Sequence, residues 1–227
     1  IFSDLDGTLV HFPAWFNAHG APLDGAVVRC AGREPRACRL LPSSTMGDGC
    51  VSERTVQLVD ALRAEGVLFV VVTAARKSTL LERLPLLPRC DVAVCETGSR
   101  IYEVAADGAL TLDQGWAERL APVCGPLERA EPPEERPEPL WALYRTLRAA
   151  GFFVDGRSYY GCFRCDTRGD AADEERLRAL LARVVPAGVA WAMNLGKYDF
   201  FPEASGKGNA VAYLQARLGG LKADECA

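Results

Sequence analysis

The stretch IFSDLDGTLV, residues 1–10, decides how the rest of the chain is read. Its apolar opening is a short strand, Asp4 and Asp6 stand where that strand ends, and Gly7 supplies the backbone freedom of a tight turn. Both carboxylates can serve one ligand only because the strand stops here and the turn re-aims the second. Strand, acid pair and turn form the opening unit of an α/β fold.

Working outward, residues 11–50 are rich in Gly, Pro, Ser and Cys without sustained periodicity, so a long loop or flap with little regular structure is expected. Ser52 is a fitting N-cap for a helix in which Val56, Val59 and Leu62 recur at helical spacing, and Gly66 fits its C-terminal cap. The run VLFVVV at 67–72 has the composition of a strand buried on both faces of a parallel sheet, with Thr73 at its end. A short helix stopped by Pro85 leads to another buried strand at 91–95, and this alternation predicts a Rossmann-like parallel sheet.

Near Ala105 the pattern changes. Helical spacings at 116–121, 139–150 and 173–184 are interleaved with alternating strands around 152–165 and 189–201, which predicts an inserted α+β cap. The segment EPPEERPEP at 131–139 reads as an exposed linker. The last helix starts near Ser205, buries Val211, Leu214 and Leu218, and stops at Gly219 and Gly220. The expected division is a core at 1–110, a cap at 111–198 and the continued core at 199–227.

Composition excludes several classes of function. The 227 residues are 49% hydrophobic and 25% charged with a formal net charge of −4, a globular profile without the basic stripe of a nucleic-acid binder. No apolar run approaches the about 18 residues of a membrane span. Nine scattered cysteines do not form the dense framework of a small secreted domain, so a reducing, cytoplasmic setting is expected. Cys162 and Cys165 form a lone C-x-x-C with no second pair at zinc spacing, and three-apart strand residues point to opposite faces. No metal or redox role is assigned to them.

The phrase IFSDLDGTLV, with Asp4, Asp6 and Thr8, resembles the first motif of the haloacid dehalogenase (HAD) superfamily of phosphotransferases. VVVTAAR resembles its second motif and ASGKGNA its third. The cap between the second and third motifs, with VCETGSRIYE and LGKYDFFPEASGKGNA, resembles the type-IIB capped branch that includes sucrose-phosphate phosphatase-like enzymes. The resemblance implies that Asp4 is a nucleophile forming an aspartyl-phosphate and Asp6 a general acid and base. It implies that Thr73, the N–H of Ala74 and Lys207 hold the phosphoryl group, and that Asp4 and the Asp6 carbonyl bind Mg²⁺. Ala74 departs from the family's usual glycine. Lys207 also has an argument of its own, because a cation at a helix N-terminus opposes the macrodipole and needs a partner.

A fourth, acidic motif would follow the last helix in such a family, and the sequence stops before one. Asp224 and Glu225 do not end a hydrophobic strand and are not assigned as ligands. The chain is therefore expected to be a fragment whose first strand lies at an edge of its sheet. Arg76, Arg157, Arg164 and Lys197 are candidate substrate contacts, joined by Asp199 and Arg100, although residues of this kind at strand ends are more often ordinary surface charges. His11 and Trp15 could line the entrance. The expected activity is a Mg²⁺-dependent phosphomonoesterase acting on a small phosphorylated metabolite, in particular a sugar phosphate. A non-catalytic phosphatase-like binding module and a phosphomutase or phosphotransferase are the alternatives.

Overall fold

The structure, a computed structural model, describes residues 1–41, 48–194 and 197–220. Its elements in chain order begin with β1 (Phe2–Asp4), α1 (Pro13–Ala18), β2 (Leu23–Asp24), β3 (Val27–Val28), β4 (Arg36–Leu40), β5 (Cys50–Ser52), α2 (Glu53–Ala64) and β6 (Val70–Val72). There follow α3 (Lys77–Arg83), β7 (Val92–Cys95), β8 (Arg100–Val104), β9 (Leu110–Leu112) and α4 (Gln114–Cys124). The insert and the C-terminal part contain α5 (Pro139–Ala149), β10 (Phe153–Asp155), β11 (Phe163–Asp166), α6 (Ala171–Val184), β12 (Val189–Asn194), β13 (Lys197–Pro202) and α7 (Lys207–Arg217).

The main sheet has the order β1-β6-β7-β8-β9. Its first three strands are parallel, with Asp4 opposite Val72 and Val72 opposite Val94. The expected parallel sheet is thus extended by β8 and β9, which run antiparallel. Among the described residues β1 pairs with β6 alone and lies at the edge. Val70, Val72, Val92 and Val94 pack on one face with α4 and α7, whereas Val71, Ala93 and Cys95 pack on the other with Val56, Val59 and Leu80. Fully burying each such valine is worth about 1.5–3 kcal/mol, which explains the unbroken apolar runs. The strand is shorter than 67–72, however, and Leu68 is 42% exposed.

Residues 11–50 correct the sequence reading most. They contain α1 and a four-stranded antiparallel sheet, β2-β3-β4-β5, over a small core of Phe16, Ala21, Val28, Cys38 and Cys50. Two-residue strands are too short to show alternation, so their pairing could not be seen in advance.

The insert forms a second antiparallel sheet, β10-β11-β13-β12, covered by α5 and α6. β9 joins the main sheet and β13 the insert sheet, so the boundaries expected at 110/111 and 198/199 each fall inside a strand. Cys162 and Cys165 are both buried. The linker reading of 131–139 fails at Arg136, which is 2% exposed, donates to the carbonyls of Glu131 and Tyr159, and lies 4.3 Å from the Trp141 ring. Asp224 and Glu225 lie outside the described residues.

Candidate active site

Parallel strands bring their C-terminal ends to one edge, where open α/β sheets bind ligands. Asp4 ends β1, Thr73 follows β6 and Glu96 follows β7 at that edge. Lys207 is the first residue of α7, behind the N-cap Gly206, whose φ is +94° and which has no capping side chain. Its ammonium lies 2.8 Å from Asp4 Oδ1, which also accepts the Leu5 N–H at 2.8 Å. This is the partner that a cation at a helix start requires. Both side chains remain partly open, Lys207 at 37% and Asp4 at 42% exposure.

Thr73 is buried, and its Oγ1 accepts the Ala75 N–H at 3.1 Å, which tightens the loop and leaves the hydroxyl proton free to donate. The Ala74 N–H and the free Asp4 oxygen, Oδ2, have no hydrogen-bond partner among the described residues.

Asp6 is positioned differently. Its Oδ1 accepts from Arg83 Nη1 at 2.7 Å, and Arg83 is only 2% exposed, with its guanidinium 5.9 Å from the Phe12 ring centroid. The structure thus joins Lys207 to Asp4 but ties Asp6 to α3. Arg83 was not found from the sequence, although a cation three residues after the buried Leu80, on the apolar side of a short helix, was the available signal.

The expected surface charges of the insert are paired except for Arg157. Arg164 holds Asp199 in a bidentate pair at 2.6 and 2.9 Å, with Asp199 only 2% exposed. Arg164 is a partly buried partner rather than a freely solvated charge, and its guanidinium pKa is raised further: burial works against the charge, but the adjoining Asp199 outweighs it. Arg76 crosses from the main domain to Asp155 on β10 at 3.0 Å, and Lys197 meets Asp166 at 3.1 Å. Arg100 is fully buried against Glu96. Arg157 is exposed and has no carboxylate partner among the described residues. His11 stacks on Trp15 at 4.4 Å, and burial, as the largest influence, lowers its pKa. Trp15 also stacks with His19, at 4.2 Å.

A hard cation such as Mg²⁺ takes oxygen ligands, often one or two carboxylates with water and substrate phosphate completing the shell. The free oxygen of Asp4 and the carbonyl of Asp6, which has no hydrogen-bond partner among the described residues, suit that chemistry. No group of three or more His, Cys, Asp or Glu placed to hold a metal occurs among the described residues. Nor is any helix among them long and apolar enough to cross a membrane.

No protein-family model and no curated protein matches the chain. Solved structures do. A sucrose-phosphatase from Synechocystis sp. PCC6803, in complex with sucrose and phosphate, is similar with a TM-score of 0.52 at 21% identity, over 73% of this chain and 63% of its own. A phosphatase of the haloalkanoate (HAD) superfamily from Bacteroides thetaiotaomicron is similar with a TM-score of 0.50 at 15% identity, over 82% of this chain and 71% of its own. The chain spans less than two thirds of the sucrose-phosphatase's length. Its fold is the α/β fold of the HAD phosphatases.

Proposed function

We propose that the chain is the catalytic framework of a phosphomonoesterase working through an aspartyl-phosphate on Asp4. The observation that carries this reading is the 2.8 Å contact between Lys207 and Asp4, which brings together two residues from opposite ends of the sequence at the C-terminal edge of parallel strands. An Asp4 oxygen attacks phosphorus, the bond from phosphorus to the alcohol oxygen breaks, and Asp6 gives that oxygen its proton. Asp6, now a carboxylate, takes a proton from the water that attacks the same phosphorus. The bond between phosphorus and Asp4 then breaks, returning the Asp4 carboxylate and free phosphate. Arg83 occupies Oδ1 of Asp6, so the proton moves through Oδ2.

Lys207, the Thr73 hydroxyl and the Ala74 N–H receive the non-bridging phosphoryl oxygens, fixed donors aimed at developing charge. Asp4 and the Asp6 carbonyl would hold Mg²⁺, which would supply charge neutralisation between two anions that otherwise repel.

The substrate class in this reading is a small sugar phosphate. The pairs Arg76–Asp155 and Arg164–Asp199 neutralise charge on the insert, which suits hydroxyls more than a second phosphate. The sucrose and phosphate bound by the sucrose-phosphatase agree with that choice. The test is phosphate release from a panel of phosphorylated metabolites, with Mg²⁺ present and absent. Mg²⁺-dependent release supports the reading, phosphate binding without turnover would mark a non-catalytic module, and transfer to an alcohol acceptor would mark a phosphotransferase.

A further inference from the structure

The turn at residues 96–99, Glu-Thr-Gly-Ser, is buried throughout, yet it is polar and conformationally costly. Glu96, Thr97 and Gly98 have φ of +52°, +56° and +87°, a left-handed run that includes two residues with side chains. Local strain of this kind persists only where the surroundings over-determine it. Here the surroundings are three separate parts of the proposed site.

The first is the loop after β6, where the Glu96 N–H donates to the Ala75 carbonyl at 2.8 Å. The second is the start of α7. A Cβ on Gly98 would overlap the Gly206 carbonyl and stand 3.0 Å from the Lys207 nitrogen, so backbone rests on backbone there. Ser99 Oγ and Ser205 Oγ are 2.9 Å apart at the same place. The third is the insert. Glu96 Oε2 accepts the N–H groups of both Tyr160 and Gly161, at 2.9 and 2.8 Å, and Ser99 Oγ donates to the Gly161 carbonyl at 2.8 Å. The other Glu96 oxygen takes Arg100 at 3.1 Å.

We infer that Glu96 is a positioning residue that makes the seating of the insert loop at 159–161 and the placement of Lys207 against Asp4 a single structural variable. A turn that bonds the loop through one side chain and abuts α7 through the next glycine cannot shift for one partner without shifting for the other. Glu96 touches no reacting atom, and its importance to Lys207 rests on the phosphatase reading. The coupling between the two segments does not.

The decisive variant is Glu96→Asp. It keeps the charge that balances buried Arg100 but is one methylene too short to reach two fixed backbone amides. Amide hydrogen exchange of the whole chain, without substrate, is the measurement. Exchange at Tyr160 and Gly161 and at the first turn of α7 should rise together, by about tenfold or more, the scale of losing a hydrogen bond to a charged acceptor. Ser99→Ala, which carries no change in charge, should loosen the same two segments if Glu96→Asp does not fold. Faster exchange at 160–161 with α7 unchanged in whichever variant folds would overturn the coupling. So would no change at either segment.

A second readout is hydrolysis of p-nitrophenyl phosphate with Mg²⁺, where Glu96→Asp should lower kcat more than it raises KM. If the wild-type chain hydrolyses nothing but the exchange result holds, the coupling stands without the phosphatase reading.

Discussion

Two glycines with nearly the same backbone angle measure how differently the two sides of the site are built. Gly7 (φ +86°), in the turn after Asp4, has open space where a side chain would be, whereas Gly98 (φ +87°) has the backbone of Gly206 and Lys207 in that space. The Asp4–Lys207 pair is about two-fifths exposed, while Glu96 and Arg100 are 0% exposed. Reacting groups need room for an incoming phosphoryl group. The turn beside them needs none, and it can spend its contacts on holding position.

The largest expected effect separates the two regions. Asp4→Asn should reduce Mg²⁺-dependent phosphate release by roughly four orders of magnitude or more, as loss of a nucleophile does. Its melting temperature should scarcely move, because a half-exposed ion pair contributes about 0–1 kcal/mol. Single-turnover phosphate release and a thermal melt on the same sample check both halves. Near-normal turnover in this variant would refute the covalent mechanism.

Gly98→Ala should show the reverse balance. The left-handed conformation costs about 1–2 kcal/mol for any residue with a Cβ, and overlap with backbone that cannot move aside adds about 1–3 kcal/mol. Gly7→Ala bears only the first cost. Unfolding free energies of the two variants from denaturant melts should therefore differ by about 1–3 kcal/mol, with Gly98→Ala the weaker. Equal losses would mean that α7 does not rest on the turn.

These differences also explain what could be read in advance. The strand ending in Asp4, the buried valine strands and the helix opposing its own dipole at Lys207 are local patterns, and each was legible from a few neighbouring residues. Arg83 meets Asp6, Arg164 meets Asp199 and Glu96 meets Tyr160 and Gly161 only because strand register and helix docking bring distant segments together. Charge at those positions was visible in the sequence, but burial and partner were not. The two-residue strands of the flap were hidden for a simpler reason, since no periodicity fits in two residues.

Arg83 belongs to neither region wholly, because a buried cation there holds a partly open carboxylate. Arg83→Met should lower kcat about 10- to 100-fold with poor leaving groups, a fraction of the general acid and base contribution. Substrates such as p-nitrophenyl phosphate, whose leaving group needs no proton, should lose much less. A uniform loss across leaving groups would show that Arg83 supports the fold and not the proton transfer.

The smallest effect is expected at the opposite end of the sheet, where Asp91, just before β7, meets Arg63 at 2.5 and 3.2 Å and accepts the Phe69 N–H at 2.8 Å. Burial alone would raise the Asp91 pKa, but the Arg63 hydrogen bonds, the Phe69 N–H and the Arg63 charge together outweigh it, and the carboxyl titrates below its ordinary value. A lowered folded pKa means that this carboxylate's stabilisation is complete above the unfolded value of about 3.9 and fades as pH falls through the folded one. The Asp91 side chain is 28% exposed, so solvent screens part of the interaction. Asp91→Asn should accordingly cost about 1–2 kcal/mol at pH 7, less than a fully buried charged hydrogen bond. Denaturant midpoints of wild type and variant should converge as pH is lowered below about 4. A penalty that persisted unchanged at pH 3 would place the cost in packing and not in the charge. Activity at pH 7 should be unaffected, because this end of the sheet carries structure and the other end carries the chemistry.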